Sequence, residues 1–200
     1  LEIAITPNTR MLMFSSPCNP SGTVYTQSEL EEIADMLEKY PDIYVVSDEI
    51  YEHINFTKRH FSIGNIPSMI NRTITVNGVS KGFAMTGWRV GFIGAPLWIA
   101  KACNKIQGQV TSATCAIAQK ATERAMLAEP RSATKEMKDT FLKRRNMLIA
   151  LLKDIPGIRC NIPQGAFYVF PDISSYFGKS NGKTKINNAN DFCMYLLNSA

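Results

Sequence analysis

Apolar positions along this chain follow two rhythms. In the first half they come as short unbroken runs. Met11–Ser15 (MLMFS) is one such run, ended by SPCNPSG, a loop dense in proline, glycine, asparagine and serine. That pattern predicts a buried strand running into a turn. Thr26 then opens a helix, with Glu29 three positions on completing a capping box. Leu30, Ile33, Ala34 and Leu37 recur on one face of that helix, and Pro41 stops it. Ile43–Val46 (IYVV) predicts a second buried strand, followed by SDEIYEH. Arg72–Val76 (RTITV) predicts a third, followed by NGVSK, and Arg89–Ala95 (RVGFIGA) a fourth.

After Pro96 the rhythm turns helical. Helices are predicted near 97 to 107, over about 112 to 128 and over about 131 to 154. Phe141, Leu148, Leu151 and Leu152 form the apolar stripe of the last of these, and Pro156-Gly157 ends it. Two further strands, near 158 to 162 and 166 to 170, are expected on either side of the turn PQG. A polar loop containing GKSNGKTKINN precedes a final helix, NDFCMYLLNSA, with Phe192, Tyr195 and Leu196 inward. No internal repeat is found.

Fully apolar strands alternating with helices predict an α/β fold: a central, mostly parallel sheet with helices on both faces. The change of style near 140 to 155 suggests a division into residues 1–140, part of a large domain, and 141–200, the start of a small α+β domain. The chain begins inside an apolar run and stops inside a helix, so it reads as a stretch of a larger protein, incomplete at both ends.

Composition narrows the partners. Of 200 residues, 45% are hydrophobic and 20% charged, ordinary proportions for a globular protein. The net charge of +5 comes from scattered basic residues. The densest runs, Lys143–Arg145 and Lys179–Lys185, do not interleave with aromatics as a nucleic-acid groove does. They read as a solvated helix face and a loop, and no nucleic-acid partner is expected. Cysteines at 18, 103, 115, 160 and 193 are odd in number and show no C-x-x-C spacing. That suits a reducing cytoplasm rather than a disulfide framework or a zinc site. Two histidines, His53 and His60, are too few for a histidine-based metal centre and read as ordinary loop or strand-edge residues. No run approaches the roughly 18 apolar residues of a membrane span, and the opening LEIAITPNTR lacks the features of a signal peptide.

In open α/β sheets, ligands bind outside the carboxyl ends of the strands. Asn19 follows the first predicted strand, Asp48 and Tyr51 the second, and Ser80, Lys81 and then Arg89 the third. An amide, a carboxylate, a phenol, an amine and a guanidinium therefore gather at one rim. Singly, each has a plain reading: a surface lysine, a helix-capping aspartate, an arginine paired with a carboxylate. Ser80 reads either as a phosphate contact or as a turn residue. Cys18 reads as a small loop residue and Trp88 as a local packing residue. Together the set matches a specific need. A lysine forms an imine with an aldehyde. If the aldehyde is that of pyridoxal phosphate, a carboxylate such as Asp48 keeps the ring nitrogen protonated so that the ring accepts electrons. Tyr51 and Asn19 can donate to the ring's phenolic oxygen, and Arg89 offers phosphate a fixed fork of donors.

Four segments in this order, SSPCNPSGTVY, VVSDEIYEHINF, TVNGVSKGFAMTGWRVGF and PQGAFYVFPDIS, resemble the class I and II aminotransferases, enzymes of fold type I that use pyridoxal 5'-phosphate. Within that family the resemblance is greatest to the prokaryotic aspartate aminotransferase subgroup. It covers nearly the whole chain. The resemblance implies that Lys81 carries the cofactor as a Schiff base and shuttles the substrate's proton. It places Asp48 at the ring nitrogen, Tyr51 and Asn19 at the phenolate oxygen, Asn19 also at the substrate carboxylate, and Arg89 at the phosphate, with Ser80 as a weaker phosphate candidate. Many relatives carry a serine three residues before the lysine, where this chain has Gly78.

The implied activity moves an amino group from an L-amino acid, aspartate first, to a 2-oxo acid such as 2-oxoglutarate, in a cytoplasmic homodimer. Thr111–Thr114 lies where dimers of the family reach the partner's site. A Gly-rich phosphate turn, a ring-stacking aromatic and an arginine for the substrate carboxylate have no counterpart within these residues, so this stretch alone is expected to be inactive. Alternatives left open are another amino-acid aminotransferase, a C–S lyase of the same fold, and the effector-sensing module of a transcription regulator.

Overall fold

The run Met11–Ser15 forms strand β1, and helix α1 (Gln27–Glu38) follows it. The computed structural model describes residues 1–57, 59–127, 132–182 and 184–199. Thr26 caps α1 as its spacing predicts. Its hydroxyl accepts from Glu29 N at 3.2 Å, and its own N–H donates to Glu29 Oε2 at 2.7 Å. Strand β2 (Tyr44–Asp48) pairs parallel to β1, and β3 (Thr73–Gly78) pairs parallel to β2. Leu30, Ala34 and Leu37 of α1 pack with Ile43, Val45, Ile63 and Met69 into the main core on one sheet face.

Strand β4 (Gly91–Gly94) completes a four-stranded sheet in the order β1-β2-β3-β4 and runs antiparallel to β3. The link from Gly78 to Gly91 holds a turn and a short 3-10 helix at Thr86–Trp88, and is half as long as the link that returns the chain from β2 to the parallel β3. On the second face cover is thinner. The ring of Trp98, in helix α2 (Leu97–Val110), meets Tyr44 edge-on at 5.7 Å, while Met13 of the edge strand β1 stays 69% exposed.

Helix α3 spans Ala116–Leu127. It starts later than its pattern suggests, because Ser112 adopts φ 66°, a left-handed conformation outside a helix. Helix α4 spans Ser132–Lys153 and runs unbroken across residues 140–141. Residues 128 and 131, in the predicted ends of these two helices, lie outside the described residues. The buried stripe of α4 differs from the expected one. Ile149 is buried, and Met137 and Phe141 pack near Tyr51, whereas Leu148 and Leu151 are exposed. The final helix α5 (Ala189–Ser199) keeps Phe192 and Tyr195 half-buried but leaves Leu196 exposed.

The two strands expected around PQG do not form; Arg159 makes an isolated antiparallel bridge with Asp172, and Gly165 another with Asn55. Backbone donors here are taken by distant segments instead. Gln164 N and Gly165 N both donate to Gly22 O, at 2.7 and 3.0 Å, and Ala166 N donates to Ile54 O at 2.8 Å. Ala166 is also left-handed, φ 57°, which breaks an extended run.

Candidate active site

Three chain segments interlock at the carboxyl ends of β1, β2 and β3. The loop after β1 carries Asn19. Gly22, with φ 68°, turns this loop back against Pro163, and a side chain at 22 would collide with that ring. The segment after β2 carries Tyr51 and Ile54. Residues 163–168 lie across both, held by the hydrogen bonds to Gly22 and Ile54 and by Phe56 N donating to Gln164 O at 2.8 Å. Arg145 of α4 fixes the start of that segment, donating from Nη1 to Pro163 O at 2.8 Å.

Alternation along β2 decides which acid faces the site. Val45 and Ser47 are buried toward α1, and Glu49 continues that side with 3% exposure. Its carboxylate accepts from Ser47 Oγ at 2.9 Å and Ser62 Oγ at 2.6 Å, and lies 2.8 Å from His60 Nε2. Such a buried carboxylate requires partners, and here it has them on every side. His60 is thus part of a buried network rather than an ordinary loop residue. Asp48 faces the other way, where Oδ1 accepts from Ile50 N at 3.1 Å.

Tyr51 is buried, and its Oη lies 2.8 Å from Tyr168 Oη. Burial pushes its ionisation well above the usual phenol range. Tyr168 and the Asp48 carboxylate push it further, and a hydrogen bond from Asn19 opposes them. Lys81 Nζ sits 5.9 Å from the Tyr51 ring centre and 5.6 Å from that of Phe167. Phe167 meets Tyr51 edge-on at 5.4 Å and stacks on Phe141 at 5.2 Å. The amine is thus flanked by aromatic faces that attract a cation.

Asp48, Asn77, Ser80 and Arg89 line one cavity of about 290 Å³ at the ends of β2 and β3. Arg89 is exposed and left-handed, φ 57°, after the short helix, and its Nη1 donates to Thr86 O at 3.1 Å. Thr86 Oγ1 in turn donates to Ser80 O at 2.9 Å, tying the arginine's turn to the lysine's. Gly78 has a local cause: a side chain there would meet Val90 O, just ahead of β4, at 2.8 Å. Arg89 also borders a wider cleft of about 810 Å³ with Trp88, Gln107, Thr111 and Thr114.

The structure therefore brings all six singled-out residues to one rim. Asn19 and Lys81 lie against Tyr51, and Asp48, Ser80 and Arg89 share the cavity. Sequence reasoning missed Glu49, Phe167 and Tyr168. The alternation in YVVSDE carried the signal for Glu49. Phe167 and Tyr168 stand in the quoted PQGAFYVF, without an indication of what they touch. Burial pushes the Cys18 thiol up, but hydrogen bonds with Ser15, Ser21 and Thr23 outweigh it and hold the thiol below its usual value. Among the described residues, no group of His, Cys, Asp and Glu is placed to hold a metal ion, and no helix is long and apolar enough to cross a membrane.

Comparison with known proteins gives a consistent answer. The family model "Aminotransferase class I and II" matches residues 1–200. A bifunctional aspartate aminotransferase and glutamate/aspartate-prephenate aminotransferase of Petunia hybrida is 44% identical, over 100% of this chain and 43% of its own length. An aspartate/prephenate aminotransferase of Cereibacter sphaeroides is 40% identical, over 98% of this chain and 50% of its own length. Among solved structures, an aspartate aminotransferase from Rhizobium meliloti superposes with a TM-score of 0.94 at 38% identity, over 99% of this chain and 50% of that one. An aromatic aminotransferase from Pyrococcus horikoshii superposes at 0.81 with 42% identity, over 85% of this chain and 46% of that one. The chain spans about half the length of the curated relatives it matches.

Proposed function

Because the chain belongs to the class I and II aminotransferases, we propose that the protein moves an amino group from an L-amino acid to a 2-oxo acid, with pyridoxal phosphate as cofactor. Aspartate and 2-oxoglutarate are the first pair to test, since the relatives named above include aspartate aminotransferases. Prephenate, which two of the relatives' names include, is the second acceptor to test.

One observation carries the reading. The Lys81 amine stands between the Tyr51 and Phe167 rings, and the neighbouring Ser80 opens onto a cavity shared with Asp48 and Arg89. These groups fit the cofactor: an amine for its aldehyde, a carboxylate for its ring nitrogen, a phenol for its ring oxygen and a guanidinium for its phosphate. When bound, the cofactor supplies the carbonyl that takes the amino group and the ring that accepts electrons. Lys81 holds it, and its freed amine moves the proton at the substrate's Cα. Asp48 keeps the ring N–H in place by its charge. Tyr51 and Asn19 donate toward the ring oxygen, and Asn19 also reaches the substrate carboxylate. Arg89 grips phosphate, with Ser80 beside it.

The odd cysteine set, all free thiols in the structure, supports a reducing compartment such as the cytoplasm. A homodimer is supported by α2, which buries no residue and leaves Leu97, Trp98, Ile106 and Val110 exposed. We propose that a second, smaller unit begins near residue 141, inside α4, on the change in sequence pattern near residues 140 to 155.

The test is to load the full-length protein with pyridoxal phosphate, reduce it with borohydride, digest it and map the added mass. We expect the label on Lys81 and turnover of aspartate with 2-oxoglutarate. A label on any other lysine overturns the assignment.

A further inference from the structure

We propose that Tyr168 is a positioning residue for Tyr51: it gives its hydroxyl hydrogen to the Tyr51 oxygen, so that the hydrogen of Tyr51 is left to point at the cofactor's anionic ring oxygen. This rests on the reading above, in which Tyr51 meets that oxygen.

The two phenols are 117 residues apart in sequence, and their oxygens are 2.8 Å apart. Two phenols in contact share one hydrogen bond, so one donates and the other accepts. Which one donates follows from what else Tyr51 faces. An anionic oxygen is a stronger acceptor than a neutral phenol, and a charge-assisted hydrogen bond is roughly twice as strong as a neutral one. The hydrogen of Tyr51 therefore goes to the ring oxygen when that oxygen is present. Tyr168 then turns its own hydrogen onto Tyr51. Accepting that bond polarises the Tyr51 hydroxyl and makes it a better donor. The Asn19 amide donates to the same phenol and favours negative charge on its oxygen.

The backbone holds Tyr168 rigidly for this task. Ala166, fully buried, adopts φ 57°, a conformation costly for a residue with a side chain. Its N–H is bonded to Ile54 O at 2.8 Å, three residues beyond Tyr51. Gly165, on its other side, touches Pro17 so closely that a side chain would meet the proline Cβ at 2.6 Å. The Tyr168 ring packs against Phe167 at 4.7 Å and Tyr51 at 5.9 Å. Only the hydroxyl is needed for the proposed role, so Tyr168→Phe keeps every ring contact.

The experiment uses the full-length holoenzyme and follows the cofactor's visible absorbance against pH. A donor to the ring oxygen lowers the pKa of the nitrogen joined to Lys81, since it stabilises the negative oxygen. Tyr51→Phe is expected to raise that pKa by about one unit or more, the scale of a hydrogen bond to a charged group. Tyr168→Phe is expected to raise it in the same direction by a few tenths of a unit, a fraction of the first effect. The double variant should match Tyr51→Phe alone, because Tyr168 acts through Tyr51.

A second measurement needs no cofactor. In the apoprotein, ultraviolet titration of the tyrosines should show the most alkaline phenol moving down in Tyr168→Phe. A fall of the cofactor pKa in Tyr168→Phe shows Tyr51 donating to Tyr168 and overturns the proposal. No shift in Tyr168→Phe, with the Tyr51→Phe shift present, overturns it too and leaves the function reading standing. No shift in either variant means that Tyr51 does not meet the ring oxygen, and overturns the proposal together with that residue's assigned role. An unchanged apoprotein titration removes the phenol contact itself.

Discussion

Adding one methyl group at Gly165 tests the interlock that builds the site. An alanine Cβ there would lie 2.6 Å from Pro17 Cβ, 2.7 Å from Pro17 Cγ and 3.0 Å from Ile54 O. Carbon atoms pack best at about 3.5–4.0 Å, so the segments must part by roughly 1 Å. Neither obstacle can swing away: one is a proline ring, the other a backbone carbonyl. Moving the 163–168 segment out stretches the bonds from Gln164 N and Gly165 N to Gly22 O and from Ala166 N to Ile54 O. Overpacking costs about 1–3 kcal/mol, and losing one of those hydrogen bonds adds about 1 kcal/mol. The expected loss of stability is therefore about 2–4 kcal/mol, read as a lower urea midpoint at unchanged slope. The same shift carries Phe167 and Tyr168 away from Lys81 and Tyr51. A 1 Å misplacement of a positioning group can lower turnover about 10²-fold. Gly108, in α2 with nothing within 4 Å of its Cβ position, is the control: Gly108→Ala should be stabilising by about 0.8–1 kcal/mol through helix propensity. An unchanged urea midpoint and turnover for Gly165→Ala would show that 163–168 does not lie against Pro17, and the account of the site would fail with it.

Other outcomes follow from the same geometry. Asp48→Ala should give a folded protein whose turnover falls roughly 10²–10³-fold, as expected for loss of a preorganised charge; near-normal turnover with natural cofactor rejects its role at the ring nitrogen. Leu37→Ala, which opens the core beneath β2, should cost about 2–5 kcal/mol in a urea titration; less than 1 kcal/mol would mean α1 does not seal that face. Asp172 is held at about 2, first by the Ser174 backbone N–H, then by the Ser174 side chain and Arg159. Its folded value is depressed, so its contribution is present above its ordinary value near 3.8 and is lost as pH falls toward 2. Asp172→Asn should flatten the stability-versus-pH curve across that interval, and an unaltered acid limb refutes the assignment. Tyr51 works in the opposite sense. Its folded value is raised, so the stability it gives is present below pH 10 and declines above it as the unfolded phenol ionises. Tyr51→Phe should lessen that alkaline decline, measured by urea midpoints across the range.

Local pattern carried much of this molecule. The short apolar runs MLMFS and IYVV announced β1 and β2, and the β-branched Thr, Ile and Val of RTITV announced β3. Thr26 and Glu29 announced the start of α1, because a capping box is complete within four residues. Strand ends then gathered Asn19, Asp48, Tyr51, Ser80, Lys81 and Arg89 at one rim, since parallel strands place all their carboxyl ends on the same side. What the pattern could not supply is what lies opposite. Periodicity says that a face is covered, but not by which segment. The antiparallel turn of β4 depended on how short a link had to return. The stretch 158–170 carried strand-like residues, yet its N–H groups bond Gly22 and Ile54, far away in sequence. The partners of Glu49 are the serines at 47 and 62 and His60, and the phenol facing Tyr51 is Tyr168, 117 positions on. Those contacts arise only when the chain closes on itself: a hydrogen bond depends on distance and direction in space, and a one-dimensional pattern fixes neither beyond a few residues.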